Sequence, residues 1–213
     1  MANGSGSLLP TTVGLRACEK TLAYCGRLCE RLQSALPRTP GDDLATALDI
    51  FTTSGLRETF GWPVVADVAG LAALEVTVAG AIAAVGNNAV REQWVKAIRA
   101  TGLPPVTVVH PRAYVSAAAT IGEGSAIMAL AMVGVDAAIG EAAIVNANAT
   151  VDHDASLGDF AHLGVGVQLA GGVKIGARAW LQAGCSAGYR VVVGDGVVCA
   201  PGMVLQADGV VGV

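Results

Sequence analysis

The sequence predicts a mainly β protein, a parallel β-helix preceded by a small, atypical Rossmann-like α/β domain. Three observations carry this. From Val109 an inward-type residue returns every six positions as far as Leu205, seventeen hexads without a slip, fifteen of them opened by Val, Ile or Leu. The fifth place of the hexad is small or slim, as at Ala113, Ala143, Ala149 and Cys185, and the second place is Gly in eight hexads, among them Gly122, Gly140 and Gly176. Upstream, the apolar run Val76 to Val85 meets Gly86 and an Asn pair, the pattern of strand, turn and helix. A period of six is neither that of a helix nor that of an alternating strand. It is the repeat of a solenoid in which each hexad makes one short strand and one turn.

Taken in order, residues 1 to 10 (MANGSGSLLP) form a lead with no basic region followed by an apolar core, so they do not read as a signal peptide. Residues 11 to 36 carry a helical stripe of Leu15, Cys18, Leu22, Cys25, Cys29, Leu32 and Leu36, with Thr11 or Thr12 able to cap its start. PRTPGDD (37 to 43) is a linker. Leu44 to Phe51 reads as a strand, Phe60 to Val65 as a short extended piece, and Val76 to Val85 as a buried parallel strand. Asn87 or Asn88 caps a helix whose face holds Trp94, Val95 and Ile98. The expected division is a lead and helix over 1–40, a Rossmann-like region over 41–105 and the β-helix over 106–213.

Three hexads close one triangular coil, so residues eighteen apart stack. The aliphatic residues form inward ladders, and the small fifth residue fills a corner. Gly at the second place is expected to turn the backbone at positive φ, with Asn146 and Asp152 tolerating that angle in their own hexads. At the usual strand spacing the prism is about 27 Å long. Neighbouring coils stabilise one another, so the run folds as a unit. Periodicity does not set the hand of the coil.

The chain is 53% hydrophobic and 14% charged, below the usual quarter. A prism with few polar side chains accounts for this without a membrane, since no apolar run reaches the length of a spanning helix. A net charge of −4 argues against nucleic acid as a partner, because phosphate binding needs a basic face. Five Cys without a CxxC pair read as reduced thiols of a cytoplasmic protein, and the three on the helical stripe lack the clustered partners of a metal site.

Chemistry has few carriers. His110 opens the first coil beside Pro111 and reads as structural. His153 stands between Asp152 and Asp154 at the third, outward place of its hexad. A histidine base needs a carboxylate on its other ring nitrogen, and Asp154 is the better candidate. Gly171 stacks one coil beyond His153, and with Gly172 it leaves bare backbone whose N–H can hold a developing oxyanion. His162 lies half a coil away from His153, and Asn146 and Asn148 are further polar contacts. Against these stand plainer readings: a solvated DHD turn, a surface His and a GG turn.

The hexads resemble the left-handed β-helix of hexapeptide acyltransferases. Within that group, NATVDHDASLGDFAHLGVGVQLAGGVKIG, together with AAVGNNAVR (Ala83 to Arg91) and the His110–Pro111 pair, is similar to the PglD/NeuD-type sugar acetyltransferases. The likeness spans roughly residues 45 to 205. It implies a left-handed coil, a homotrimer with active sites between prisms, acetyl-CoA as co-substrate and no metal. It also implies catalysis by His153 with Asp154, contact of the thioester arm with His162, Gly171 and Gly172, and an acceptor site near Asp49, Gly86 and Asn87. The γ-class carbonic anhydrases share the prism but use three His at a spacing not found here. The family opens with a strand and a GxGGHG-like turn; no such turn precedes the helix read at 11 to 36, so a weakened nucleotide end is expected. Small outward residues such as Ala118, Ala129 and Ala147 suit the close approach of prisms in a trimer. The activity implied is N-acetylation of an amino group on a nucleotide-linked sugar, in glycan or surface-polysaccharide synthesis. The alternatives are O-acetylation of a sialic-acid-type sugar and a non-catalytic trimeric scaffold.

Overall fold

The computed structural model of the chain describes residues 80–212 throughout and, upstream, the backbone of four strands: β1 (Thr12–Arg16), β2 (Asp49–Phe51), β3 (Glu58–Thr59) and β4 (Trp62–Pro63). The strand β5 (Gly80–Ala84) and the helix α1 (Asn88–Ala100) follow. Then come eighteen two-residue strands, β6 (Val108–Val109) to β23 (Val210–Val211), arranged as three six-stranded parallel sheets.

Each sheet is one face of a six-coil prism. The first face carries β6 and every third strand after it, the second face starts at β7 (Tyr114–Val115), and the third at β8 (Thr120–Ile121). The register is eighteen residues throughout, as in Val133 opposite Val151 and Leu163 opposite Leu181. One hexad beyond the seventeen read from the sequence, led by Val211, completes the sixth coil. The leading residues and the small fifth residues together form the core: Val145, Val151, Leu163, Ala149 and Ala161 are all fully buried. The ladder works because parallel pairing brings identical places of successive coils to one spacing, so one apolar column fills the axis.

Two expectations are corrected. Positive φ belongs to the fourth place of the hexad and not, Gly212 apart, to the second: Asn148, Asp154, Phe160, Gly172 and Arg178 all lie near +57° to +70°. The second-place glycines answer to stacking instead. A Cβ on Gly140 would come within 2.6 Å of the backbone of Gly158 and Asp159 one coil along. The second correction concerns the helix read from residue 11. Thr12–Arg16 is the central strand of a parallel sheet in the order β2–β1–β5. Pairing on both sides outweighs the helical spacing that begins at Leu15, an instance of non-local contacts overriding local pattern. The rest of that stripe, residues 17 to 36, lies outside the described residues, as does the linker.

Gly80–Ala84 falls inside the expected strand, and α1 starts where the Asn pair predicts. Asn87 is the cap, its Oδ1 accepting from Val90 N at 3.0 Å. The buried face of α1 is Arg91, Trp94, Val95 and Ile98. It packs in a second core with Ala81, Ala83 and Val85 of the strand segment and with Ala142 and Phe160 of the prism. At its far end Arg99 pairs with Glu141 (2.7 Å) and Glu123 (3.2 Å), which stand one above the other on a prism corner. The end of β5 is thereby held against the first face.

Candidate active site

The structure brings the proposed site residues together in two places. The first is the corner between the second and third faces, where hexads turn from β13 (Thr150–Val151) to β14 (Ser156–Leu157). His153 projects outward there with 54% of its side chain exposed. Its Nδ1 lies 2.7 Å from Asp154 Oδ2. Asp154 adopts φ +57°, the left-handed bend of the fourth place. Asp152 turns its Oδ1 back to accept from His153 N at 2.8 Å, and its Oδ2 is 4.0 Å from His153 Nε2. The hydrogen bond to Asp154, aided by the charge of Asp152, raises the His153 pKa above its ordinary value. With Nδ1–H given to the carboxylate, Nε2 is the basic nitrogen of the neutral ring.

Gly171 lies directly under that ring. A Cβ at Gly171 would stand 2.5 Å from both Cε1 and Nε2 of His153. The glycine is thus a steric requirement of the imidazole's position, a reason the sequence alone does not reveal. Gly171 O accepts from Arg190 N and Gly172 N donates to His153 O, while Gly171 N–H donates to no described protein group. A shallow cleft of about 470 Å³ opens beside it on the second face, lined by Ala170, Gln168, Ser186, Gly188 and Gln206.

The second place is on the first face. His162, on strand β15 (His162–Leu163), is 8% exposed and stacks on Trp180 of the next coil, ring centroids 5.6 Å apart. Its Nδ1 lies 3.0 Å from Gly86 O. Burial, and then the charge of Arg91, lower its pKa to about 4. It is therefore neutral at pH 7, with Nδ1–H donating to the carbonyl and Nε2 left as an acceptor. Within one chain His153 and His162 occupy different sides of the prism. Asn87 uses its side chain as the helix cap. Asp49 opens β2, opposite Gly14 in register. His110 is buried, its Nδ1 accepting from Arg112 N.

Two residues were missed in the sequence. Trp180 gave no signal beyond its place eighteen after His162. Arg91 did: it stands at the head of the stripe 91, 94, 95, 98, a charge on a face otherwise apolar. Its guanidinium, 1% exposed, donates to the carbonyls of Ala142, Val85, Gly86 and Phe160 and to Asn88 Oδ1. Asn88 in turn donates to Arg178 O, so GNNAVR is a clamp between helix and prism.

A repeating prism with an oriented His–Asp pair laid over a glycine amide is the arrangement of an acyl-transferring enzyme of hexapeptide type. No protein-family model matches the sequence, and no curated protein does. Solved structures do. The chain is similar to a perosamine N-acetyltransferase of Caulobacter crescentus crystallised with CoA and GDP-perosamine as a histidine-to-asparagine mutant, at 30% identity over 95% of this chain and 91% of that one, TM-score 0.81. PerB from Caulobacter crescentus, also with CoA and GDP-perosamine, matches at 31% identity, 95% and 94% coverage and TM-score 0.78. The acetyltransferase domain of PglB from Neisseria gonorrhoeae, with acetyl coenzyme A, matches at 27%, 95% of each chain and TM-score 0.79. The chain belongs to the sugar acetyltransferases of the hexapeptide-repeat β-helix superfamily.

Proposed function

We propose that this protein is an acetyl-CoA-dependent N-acetyltransferase that acylates an amino group of a nucleotide-linked sugar in the cytoplasm, where acetyl-CoA is supplied. The observation that carries it is the His153 ring, bonded to Asp154 at 2.7 Å and seated over Gly171. The likeness to enzymes crystallised with CoA and GDP-perosamine supports the substrate classes.

In this reading the acceptor amine attacks the thioester carbon while His153 Nε2 takes its proton. Asp154 stabilises the imidazolium, as a carboxylate on the far nitrogen does. The Gly171 N–H receives the oxyanion of the tetrahedral intermediate. The C–S bond then breaks, and the thiolate leaves with the proton that His153 returns. Base, carboxylate and amide are all present on one corner, so the cycle needs no covalent enzyme intermediate.

The arm of the co-substrate is proposed to lie between prisms of a left-handed homotrimer, touching Gly171 and Gly172 of one chain and His162 of the next. Two features support this. His153 and His162 face different sides of one prism, and the corner between the first and second faces presents a column of Pro111, Ala129, Ala147, Val165, Ala183 and Pro201, with Val165 half exposed. The sugar nucleotide is proposed at the carboxyl edge of the β2–β1–β5 sheet, near Gly86 and Asn87, where ligands bind in open parallel sheets; Asp49, the third residue expected there, opens β2 two residues before that edge. That sheet supports a Rossmann-like unit drawing its central strand from residues 12–16. A thiol-release assay with acetyl-CoA against amino sugars and their nucleotide conjugates tests the reading. Release with a nucleotide-linked amino sugar is expected; none with any acceptor would favour the scaffold alternative.

A further inference from the structure

Gly86 O is shared. It accepts from His162 Nδ1 at 3.0 Å and from Arg91 Nη1 at 3.3 Å. Arg91 also holds Val85 O at 3.0 Å, so two successive carbonyls at the end of β5 are tied to it. Its other donors reach across to the prism, Nε to Ala142 O at 2.7 Å and Nη2 to Phe160 O at 2.6 Å. Asn88 Oδ1 completes the set at 2.8 Å. All these acceptors are neutral. A buried guanidinium without a carboxylate is costly unless every donor is satisfied, and here the fork is filled by oxygens drawn from three separate segments.

The consequence falls on His162. Trp180 fixes the plane of its ring, with the two rings 13° from parallel. Gly86 O fixes which nitrogen bears the hydrogen, because a carbonyl oxygen only accepts. Arg91 fixes where that oxygen is, and its charge adds to burial, the larger cause, in lowering the His162 pKa. We propose that Arg91 is a positioning residue for His162: by clamping the Val85 and Gly86 carbonyls against the prism it fixes the imidazole in its Nδ1–H form, with Nε2 an acceptor toward the ligand. Its bearing on catalysis rests on the acetyltransferase reading above; the state of the ring does not.

The test is a two-bond ¹H–¹⁵N correlation of the ring nitrogens in ¹⁵N-histidine-labelled protein. The chain has three His, so His153→Ala and His110→Asn assign the spectrum. The wild-type His162 should appear as a single Nδ1–H tautomer, unchanged from pH 8 to pH 5; an Nε2–H or protonated ring at pH 6 overturns the proposal without any variant. Arg91→Lys keeps a charge but has a three-donor point in place of the fork. It should show mixed tautomers with an unchanged far-UV spectrum, and KM for acetyl-CoA raised about five- to tenfold at similar kcat, the scale of one hydrogen bond. Arg91→Met, which removes the fork altogether, should likewise show mixed tautomers, with the His162 titration moved upward only in so far as burial, the larger cause of its low pKa, allows. A single Nδ1–H tautomer in every folded Arg91 variant refutes the assignment. Ring signals as expected but no acetyl transfer in the wild type would remove the proposed function and leave the role of Arg91 standing.

Discussion

At the scale of residues, the three positions around His153 make separable predictions. His153→Ala should lower kcat by about 10²–10⁴, the loss of a positioned base, while the oligomer stays intact. Stopped-turnover rates with the mutant at wild-type levels would end its assignment as the base. Its pKa is raised by Asp154 and Asp152, and the basic form is the active one, so kcat/KM should climb with pH through a value above that of an ordinary histidine. Asp154→Asn removes the larger of the two causes, so the acid limb of that profile should move to lower pH as the rate falls; a limb that stays put would show that the contact does not act on the ring. Gly171→Ala is the sharper steric test. Its φ is not in the left-handed region, so the backbone tolerates a side chain, but the new methyl occupies the place of the His153 ring. Activity should fall with little change in Tm.

His162 makes a prediction about stability. Its folded-state pKa of about 4 lies below the ordinary 6.5. Between those two values the unfolded chain takes a proton that the folded chain refuses, so stability rises with pH across that window and is flat above it. The span corresponds to roughly 3 kcal/mol. Urea unfolding at pH 7 and pH 5 should show the loss, and His162→Phe, which keeps the stack on Trp180, should abolish most of it.

At the scale of elements, α1 is bonded to the prism at both ends, by Asn88 and Arg91 at its start and by Arg99 with Glu123 and Glu141 at its finish. Arg99 is 45% exposed at the side chain, so its pairs stabilise weakly. The buried clamp at the start carries more. Asn87→Ala should cost about 1 kcal/mol through loss of the cap, read as a Tm shift. In the prism, a leading residue supports coils on both sides of it. Leu169 is 1% exposed, and Leu169→Ala should cost about 2–5 kcal/mol in a single cooperative transition. Separate melting of the coils on either side of the substitution would contradict that coupling.

For the whole molecule, the proposed trimer should sediment at about three times the 21.3 kDa of the chain. A stable monomer at micromolar concentration would also undo the shared active site, because His153 and His162 are on different sides of one prism. Among the described residues no helix is long and apolar enough to cross a membrane.

The prism was legible from the sequence because its register is local and repeated. Each hexad states the same choice, inward aliphatic and small corner residue, and eighteen residues later the partner states it again. The contact of His153 with Asp154 was legible for a similar reason, since adjacent residues cannot lie far apart. Stacking by eighteen likewise placed Gly171 next to His153, although only coordinates show that the ring lies on the glycine itself. The tertiary structure alone decided what depends on distant segments. Thr12–Arg16 is a strand because two others flank it. The fourth place bends left-handed, and the second-place glycines sit where a Cβ would meet the backbone of the next coil. Gly86 meets His162 across 76 residues because Arg91, a charge on an apolar stripe, finds its oxygens in three segments at once. No periodicity encodes such a meeting, since it is set by where the helix docks and not by what surrounds each residue in the chain.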